Sequence, residues 1–483
     1  MKPAVQLANR AVANRGWKIL LVSANRCTTP EPVFPLGLAH LSAALREAGH
    51  EVSWLDLLTE GDRFEELLQA NAPELVGISV RNIDDVLIRK QQSFVDNLGE
   101  LVQTIHEELG SPVVLGGSGF SILPRELLKT SGADFGVVGE GETALPALIA
   151  ALDTGESYTG IPGLVFRQCA GIALNEPARP SATDQTPEAD LPPQIIAQYL
   201  RRGGVLNLQT QRGCAHRCCY CTYPVIEGTR HRSRSSEAVV SEFERLERLG
   251  ADYAFVVDSV FNSSESHVSQ ICEALVRRGL KIRWGCFLRP QGLTHPMVRL
   301  MAKAGLAHVE FGSDSFCDEV LCAYQKDFTF EDIRLSTELV RNEDIDFCHF
   351  VIAGGPGETP QTLQLGFKNS QVLGSPIIMA VPGMRIYPGT RLFDLAVGEG
   401  RLPPASNLLK PAYYLAAGLN LELVLETLKG FAAQWPNWVV GDFDPDYEGL
   451  VSRLRQRGVT GPLWSYFATA QRLWPRASGG SGS

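Results

Sequence analysis

Three cysteines on one short segment of this 483-residue chain have a spacing that indicates a chemical role. Cys214, Cys218 and Cys221 stand in the pattern C-x3-C-x2-C, and Tyr220 directly precedes the last of them. Three thiolates can each hold one iron of a 4Fe-4S cluster, whereas closed electron-transfer clusters and structural zinc sites use four protein ligands. The spacing therefore predicts a cluster whose fourth iron is left open for another ligand.

The same segment allows a second interpretation, in which a nearby histidine completes a zinc site. His216 and His231 are the candidates for that fourth ligand. Cys219 breaks the three-cysteine spacing, and we expect it to pack against the loop. The basic stretch at 229–234 is expected to be a solvated loop, although it also lies where it could meet the negative charge of a cofactor or substrate.

The composition narrows the class of protein. Apolar residues make up 44% of the chain and charged residues 20%, which is typical of a globular protein with two or three domains. The formal net charge is -10, so nucleic acid is not expected as a partner. Eleven cysteines without an apolar leader favour a reducing compartment, and we expect a cytoplasmic protein. No apolar run reaches the roughly 18 residues that would cross a bilayer, so no membrane span is predicted.

Alternating short strands and helices over residues 17–155 predict the first domain. Residues 17–22 have the apolar pattern of a buried strand, and residues 35–46 carry apolar side chains at helical spacing. Repetition of this alternation predicts an α/β fold with a doubly wound parallel sheet. Ligands of such sheets bind at the carboxyl ends of the strands, which we place at 23–26, 79–85, 116–120 and 139–142.

The rest of the chain divides into four segments. Residues 156–200 carry several prolines and glycines and are predicted to be a linker. Residues 201–400 contain about six further strand-helix units, which predict a partial (β/α)6 barrel that is open on one side. The aromatic-rich residues 401–475 are predicted to form a small C-terminal cap. The glycine and serine residues at 476–483 are expected to be an artificial flexible tail.

Four further motifs follow the cysteine loop in order. They are an acidic residue within the strand pattern at 255–261, the stretch Gly312-Ser313-Asp314-Ser315, a glycine turn at 354–359, and Tyr387-Pro388-Gly389-Thr390. With the cysteines, these motifs over residues 204–393 resemble the radical S-adenosyl-L-methionine (SAM) superfamily, in which the open iron binds SAM. Asp314 departs from the pattern, because the superfamily usually carries glutamate there. The resemblance implies SAM contacts from Tyr220, Asp258, Arg289, Asp314, Ser315, Gly355 and Pro356.

Two glycine-rich loops mark the first domain. Gly116-Gly117-Ser118-Gly119-Phe120 and Gly139-Glu140-Gly141-Glu142-Thr143 follow predicted strands, and glycines let a backbone lie against a flat or slender ligand. With these loops, residues 18–152 resemble the cobalamin (B12)-binding domain that precedes one subgroup of radical SAM enzymes, the class B methyltransferases. A generic doubly wound domain with glycine turns is the alternative. The resemblance implies cobalamin contacts from Ser79, Arg81, Asn82, Gly116, Gly117, Ser118, Gly119, Gly139, Glu140, Gly141 and Glu142.

The region after the third predicted strand lacks the histidine of other cobalamin domains. Where those domains carry D-x-H-x-x-G, whose histidine ligates cobalt from below, this chain has the stretch 79–86 without a histidine. The resemblance therefore implies a base-off cobalamin with no histidine ligand, whose lower face meets Arg81 or Asn82. An ion pair of Arg81 with Asp84 or Asp85 is the alternative.

The resemblance implies a cobalamin-dependent radical SAM C-methyltransferase. Its substrate would be a small metabolite or natural-product intermediate, methylated through a 5'-deoxyadenosyl radical and methylcobalamin. An electron donor such as flavodoxin or ferredoxin is implied as a partner. The cofactors carry the difficult steps in such enzymes, and the sequence identifies no catalytic acid or base. Cyclisation, ring rearrangement and non-radical methyl transfer are the alternatives within the family.

Two other classes of protein are disfavoured. Methylthiotransferases of the same superfamily place three further cluster cysteines in the N-terminal domain, whereas only Cys27 and Cys169 precede the central motif here. A non-enzymatic protein that senses a corrin or a cluster would need a surface that binds a partner. The net negative charge of the chain argues against nucleic acid as that partner.

Overall fold

The computed structural model describes residues 16–28, 31–169, 171–178 and 187–441, together with 453–454, 456–459 and 461–462. These residues form two α/β units, each built on its own seven-stranded sheet. The fold class predicted from the sequence is therefore confirmed. The strands of the first unit are β1 (Lys18–Ser23), β2 (Glu51–Asp56), β3 (Leu75–Ser79), β4 (Val113–Gly116), β5 (Phe135–Val137), β6 (Leu164–Gln168) and β7 (Gly171–Leu174).

The first unit is a doubly wound sheet with the order β2-β1-β3-β4-β5-β6-β7, in which β1 to β5 are parallel. Alternate residues of β1 bury on opposite faces, with Leu20 and Val22 in one apolar cluster and Ile19 and Leu21 in the other. This is expected for a parallel strand covered by helices on both sides. The helices are α1 (Leu36–Glu47), α2 (Leu57–Glu60), α3 (Phe64–Asn71), α4 (Leu98–Leu109), α5 (Ser118–Ile122), α6 (Pro124–Ser131) and α7 (Gly141–Thr154), and Gly61–Arg63 is a 3-10 turn.

Part of the predicted linker belongs to this sheet. β6 and β7 form an antiparallel hairpin that adds to the edge of β5, and α8 (Pro193–Arg202) follows it. Leu164, Val165 and Phe166 are at most 2% exposed. The prediction of a linker over 156–200 is wrong for these elements, because three consecutive buried residues cover the sheet edge despite the surrounding prolines and glycines.

The second unit is a parallel sheet with the order β18-β15-β14-β13-β12-β11-β8. Its strands are β8 (Leu206–Leu208), β11 (Tyr253–Val256), β12 (Arg283–Leu288), β13 (Leu306–Asp314), β14 (Asp346–Ala353), β15 (Ile377–Pro382) and β18 (Trp438–Val440), and two small ladders pair β9 (Gln211–Arg212) with β10 (Arg232–Ser233) and β16 (Met384–Arg385) with β17 (Tyr413–Tyr414). Its helices are α9 (Tyr223–Ile226), α10 (Ser236–Arg248), α11 (Glu265–Arg278), α12 (His295–Lys303), α13 (Asp318–Ala323), α14 (Phe330–Asn342), α15 (Pro360–Ser370), α16 (Arg391–Gly398) and α17 (Leu421–Gln434), and Gln371–Leu373 is a 3-10 turn.

The predicted cap contributes to the barrel. The six predicted strands are present, and β18 adds a seventh by pairing with β15. The Phe431 ring of α17 stacks on Phe367 at 4.0 Å, and Trp438 lies 5.4 Å from Phe431. Phe431 and Trp438, both in the predicted cap, are therefore core residues of the barrel. Tyr447, Trp464, Tyr466, Phe467, Trp474 and the tail 476–483 lie outside the described residues.

The helices of both units are short. The longest in the described part of the chain have 14 residues, and no helix there has the length and apolar character needed to cross a membrane.

Candidate active site

Gly213 begins the cysteine loop directly after β9. Its φ of 83° lies in the left-handed region, and a side chain there would collide with the carbonyl oxygen of Arg230, so glycine is required. The Gly213 N–H donates to Glu227 Oε2 at 2.9 Å, and Ser259 Oγ donates to the Gly213 carbonyl at 2.9 Å. The start of the loop is therefore held from both sides.

The three thiols of the loop influence one another. Cys214 is buried, and Cys218 and Cys221 are half-buried. Burial, together with the neighbouring Cys218 and Cys214 thiols, raises the pKa of Cys221 to about 12. The three side chains therefore lie near enough to influence one another, as the ligands of one cluster must.

The two histidines of the zinc interpretation lie beside this loop, with ring centroids 5.8 Å apart. The Ala215 N–H donates to His231 Nε2 at 3.4 Å, and His216 Nδ1 lies 3.6 Å from Asp327. Within the described residues, no three His, Cys, Asp or Glu side chains are grouped closely enough to share a single metal ion.

Cys219 packs beneath the loop, as expected. Its N–H donates to the Tyr324 carbonyl at 2.9 Å, and its carbonyl accepts from the Leu392 N–H at 2.8 Å. The side chain is buried in an apolar cluster with Val320 and Met384. Both its backbone and its side chain therefore anchor the loop to the barrel.

A buried pair of opposite charges lies against Cys218. Lys326 Nζ contacts Asp314 Oδ2, and the two side chains are 7% and 5% exposed. The Tyr220 hydroxyl donates to the same Asp314 oxygen at 2.5 Å. Burial alone would lower the pKa of Lys326, but Asp314 and the Cys218 thiol outweigh it and raise the pKa. Two of the predicted SAM residues, Tyr220 and Asp314, are thus brought together beside the thiols.

The end of β13 is irregular where it positions Asp314. Pairing with β14 shifts register between Phe311 and Asp314, and Asp314 has a φ of 61°, a conformation that costs a non-glycine residue of order 1–3 kcal/mol. Ser315 follows, and its Oγ accepts the Cys317 N–H at 3.2 Å. Ser315 is therefore used to form the turn next to the predicted SAM site.

Arg289 follows β12 at the rim of the same region. Its side chain is 7% exposed and contacts Asp327. The Arg289 Cζ atom lies 4.9 Å from the centre of the Phe328 ring, and Lys326 Nζ lies 5.8 Å from that ring. Two cations therefore converge on one side of the cysteine loop.

Asp258 supports the strand that leads to the loop. Its Oδ1 accepts the N–H groups of Thr210 and Gln211 at 2.7 and 3.2 Å, and its Oδ2 accepts the Thr210 hydroxyl. The residue is 0% exposed, and burial raises the pKa of its carboxyl to about 7. Because both oxygens are engaged within the protein, the structure gives Asp258 a supporting role in place of the predicted SAM contact.

The turn that contains Gly355 and Pro356 is tied down by two buried side chains. The Gly355 N–H donates to the Tyr324 hydroxyl at 3.1 Å, and the Gly354 N–H donates to Glu358. Burial raises the pKa of Glu358 to about 7. A side chain on Gly355 would collide with the Tyr324 ring. Glycine is therefore required here by Tyr324, which is a different reason from the predicted approach of SAM.

One cavity of about 1000 Å³ lies between the two units. The predicted cobalamin residues from Ser79 to Glu142 all line it, and residues of the barrel line its opposite wall. Among the described residues of this lining, none belongs to the predicted SAM set. Pockets for drug-sized ligands have volumes of roughly 300–1000 Å³. This cavity therefore suits a large ligand such as a corrin.

The glycines of the first loop also make room for the backbone after β3. A side chain on Gly117, whose φ is 95°, would lie 2.7 Å from the Val80 carbonyl oxygen, and one on Gly119 would lie 3.0 Å from that of Arg81. Ser118 Oγ donates to the Arg81 carbonyl at 2.9 Å. The glycine loop therefore fixes the backbone that presents Arg81 to the cavity.

The carboxylates near Arg81 are engaged elsewhere. Asp84 Oδ2 accepts from Arg385 Nε at 3.0 Å, and Arg385 belongs to the second unit. Asp85 Oδ1 accepts the Leu87 N–H at 3.1 Å. The alternative in which Arg81 forms an ion pair with either carboxylate is therefore wrong.

Glu140 and Glu142 form ion pairs with the barrel. Arg212 Nη1 lies 2.9 Å from Glu140 Oε2, and Arg212 Nη2 lies 2.6 Å from Glu142 Oε1. Arg232 also contacts Glu140. Burial alone would lower the pKa of Arg212, but Glu142 and Glu140 outweigh it and raise the pKa. The two carboxylates, predicted only as cobalamin contacts, thus join the glycine loop to the cysteine loop, since Arg212 stands two residues before Cys214.

Sequence reasoning missed Lys326, Arg212 and Arg385. Lys326 lies in a loop between two helices, where no motif singles it out. Arg212 could have been found, because a basic residue directly before the cysteine loop complements the two acidic residues of the second glycine loop. Arg385 carried no comparable signal.

Two family models match the chain. The model of the B12 binding domain covers residues 23–149, and that of the Radical SAM superfamily covers residues 208–365. These matches coincide with the two units of the fold, which together define a radical SAM enzyme with an N-terminal B12-binding domain. The cofactors of this class are cobalamin, SAM and a 4Fe-4S cluster.

Methyltransferases are similar to the chain over most of its length. It is 27% identical over 424 residues to tryptophan 2-C-methyltransferase from Streptomyces laurentii. The aligned region covers 74% of this chain and 71% of that protein. The chain also superposes on the structure of the radical SAM methyltransferase TsrM from Kitasatospora setae, which was solved with cobalamin and a 4Fe-4S cluster bound. The TM-score is 0.83 at 26% sequence identity, and the superposition covers 95% of this chain and 98% of that one. The chain is therefore a radical SAM enzyme with a B12-binding domain, and it is similar over most of its length to cobalamin-dependent methyltransferases.

Proposed function

We propose that this protein is a C-methyltransferase that transfers a methyl group from cobalamin to a carbon of a small molecule. The observation that carries this proposal is a cavity of about 1000 Å³ that is lined both by the predicted cobalamin residues and by inward side chains of the barrel. Support also comes from TsrM of Kitasatospora setae, which was solved with tryptophan as its substrate.

The chain's own residues bind and position the reactants in this proposal. When bound, the cluster and SAM supply the hydrogen-abstracting chemistry and the corrin supplies the methyl group. Cys214, Cys218 and Cys221 would hold the cluster, and Lys326 and Arg289 would offer positive charge to the carboxylate group of SAM.

Anaerobic reconstitution followed by absorption spectroscopy tests the cofactor assignment. We expect Cys214→Ala to lose the iron-sulfur absorption and to keep that of the corrin. Cys219→Ala is the matched control on the same loop and is expected to keep both. A wild-type protein that holds zinc in place of iron would contradict the proposal.

Product analysis tests the reaction. Radical methylation of carbon forms both 5'-deoxyadenosine and S-adenosylhomocysteine, whereas non-radical methyl transfer forms S-adenosylhomocysteine without 5'-deoxyadenosine. Cyclisation or rearrangement forms 5'-deoxyadenosine without a methylated product. Detection of both products together with a methylated substrate is the expected result.

We infer that cobalamin is held base-off, with Arg81 toward its lower face. Arg81 and Asn82 line the cavity, and Ser118 holds the backbone at Arg81. His40 also lines the cavity, but it is 1% exposed and its Nδ1 lies 3.0 Å from the Pro187 carbonyl oxygen. Electron paramagnetic resonance of the Co(II) form is expected to show no nitrogen splitting, in the wild type and in His40→Ala alike. Splitting that disappears in His40→Ala would assign the lower ligand to that histidine.

We infer that an acidic flavodoxin or ferredoxin donates the electron at the surface of the cysteine loop. Ala215, Arg217 and Arg230 are exposed there, and positive surface charge attracts an acidic partner in a salt-dependent manner. Arg217→Glu with Arg230→Glu is expected to slow SAM cleavage supported by flavodoxin and to leave cleavage supported by dithionite unchanged. Equal slowing with both reductants would refute this. None of the eleven cysteines forms a disulfide, which supports a reducing compartment such as the cytoplasm.

A further inference from the structure

The interior of the barrel carries an unusual layer of side chains below the cofactor cavity. Phe255 on β11, Phe287 on β12 and Glu310 on β13 all line the cavity, as do Phe350 and Met379 on the next two strands. Phe287 pairs in register with Glu310, and Phe350 with Met379. The Phe255 and Phe287 rings meet edge to face at 5.1 Å. We call this layer the phenylalanine chamber.

The floor of the chamber is closed by stacked rings. Tyr253 and His308 stack with their centroids 5.1 Å apart, and the Tyr253 hydroxyl lies 3.1 Å from His308 Nε2. Gly285 leaves room for them, because a side chain there would collide with both rings. Glu310 Oε1 lies 3.8 Å from His308 Nε2, directly above this floor.

The side chains of the chamber do not fill the interior of the barrel, because they line a cavity. In a filled barrel, inward side chains of successive layers bury each other completely. Phe255, Phe287, Phe350 and Met379 are instead only partly buried, although each lies inside the barrel. The space they face is therefore open to a ligand that enters from the side of the corrin site.

The chemistry of the chamber selects a cation. The face of an aromatic ring carries partial negative charge and attracts an ammonium group, most strongly where water is excluded. A carboxylate on the same wall adds a charge-assisted hydrogen bond, and the Glu310 side chain is 12% exposed. The rings and Met379 also accept an apolar carbon skeleton.

We propose that the phenylalanine chamber binds the substrate through a protonated amine held by Glu310, so that the substrate class is an apolar or aromatic amine. This inference rests on the proposed function, because it takes the corrin cavity as the place of methyl transfer. The amine would sit at the closed end of the chamber, and the rest of the substrate would extend toward the cofactors.

Calorimetric binding to the anaerobically reconstituted holoenzyme tests this with three probes of similar size. They are phenethylamine, its neutral isostere 2-phenylethanol and the anion 3-phenylpropionate. We expect the amine to bind roughly 10- to 100-fold more tightly than the alcohol, as a hydrogen bond to a charged group predicts. Glu310→Gln is expected to bring the amine and the alcohol to within about threefold of each other.

Two further variants separate the contributions. Phe287→Leu keeps the carboxylate and an apolar wall but removes one ring, so it is expected to reduce the preference for the amine by a smaller factor than Glu310→Gln. Glu319→Gln removes an exposed carboxylate at the start of α13 and is the matched control, with the preference unchanged.

The inference is overturned if the alcohol or the propionate binds as tightly as the amine, if Glu310→Gln keeps the full preference, or if no amine binding is detected. Corrin and cluster absorption are measured on the same samples. A protein that carries both cofactors but does not prefer the amine contradicts this inference alone, whereas a protein that takes up neither cofactor contradicts the proposed function.

Discussion

Replacing Arg385 with alanine is expected to destabilise the junction between the two units by about 3–5 kcal/mol, because it leaves the carboxylate of Asp84 buried without its partner. The Arg385 and Asp84 side chains are 4% and 1% exposed. Arg385 Nε and Nη2 lie 3.0 and 2.9 Å from Asp84 Oδ2, and Arg385 also donates to the carbonyls of Ile386 and Leu408 at 2.6 and 2.7 Å. Alanine removes all four contacts.

A double-mutant cycle separates the pair from its surroundings. Asp84→Leu with Arg385→Met replaces both charges by apolar side chains of similar size, and such replacement of a buried pair is often neutral or stabilising. We therefore expect the double variant to be more stable than Arg385→Ala by at least about 2 kcal/mol. The coupling energy follows from the unfolding free energies of the wild type, of Asp84→Leu, of Arg385→Met and of the double variant.

Urea unfolding followed by tryptophan fluorescence and circular dichroism measures these effects. A protein with two units need not unfold in one step, so each transition is fitted separately. Arg334→Ala is the matched control, because Arg334 makes exposed ion pairs within one helix and its loss is expected to cost less than about 1 kcal/mol. A loss of less than about 1 kcal/mol for Arg385→Ala as well would refute the reasoning, since the buried pair would then behave as an exposed one.

Three further predictions concern the cysteine loop. Gly213→Ala is expected to lower the iron content of the reconstituted protein. Gly228→Ala is the control and is expected to keep the iron, because Gly228 also has a positive φ but has open space around it. An equal loss of iron in both variants would contradict the steric argument. Burial raises the pKa of Asp258 from 3.8 to about 7, so the folded state retains a proton that the unfolded state releases, and stability falls by up to roughly 4 kcal/mol as pH rises through that window. Asp258→Asn is expected to flatten the dependence of the urea midpoint between pH 4 and 7, and an unchanged slope would count against it. Arg212→Met leaves Glu142 buried without its partner and is expected to lower the stability measured by thermal unfolding by about 3–5 kcal/mol. Adding Glu142→Gln is expected to recover part of this lost stability. If no stability is recovered, this ion pair is excluded as the cause.

Local sequence patterns predicted the cysteine loop and the glycine loops, because their constraints act over a few residues. The spacing of the three thiols is an example. The ion pair of Asp84 with Arg385 spans 301 positions, and only tertiary packing brings it together. Glu310 falls between these cases, because it lies on the inward face of β13 with Asp314, and a polar residue at an alternate position in a barrel strand could have been noticed.

The boundaries of the barrel were harder to predict for a related reason. Glycine and proline content suggested a linker where β6 and β7 extend a sheet, and aromatic content suggested a cap where α17 and β18 complete another. Composition describes what a segment contains, whereas membership of a sheet depends on the edge that the segment meets. Short edge strands such as the three residues of β18 give little periodic signal of their own.

The position of β18 has a consequence for biosynthesis. Nascent chains emerge from the ribosome amino end first. All strands of the first unit are therefore synthesised by residue 174. β15, in contrast, cannot pair with β18 until residue 440 has been synthesised. During that interval β15 offers an unprotected edge to other chains. A message that ends early, before Trp438, would therefore yield a product that fails through aggregation before any loss of catalysis could be measured.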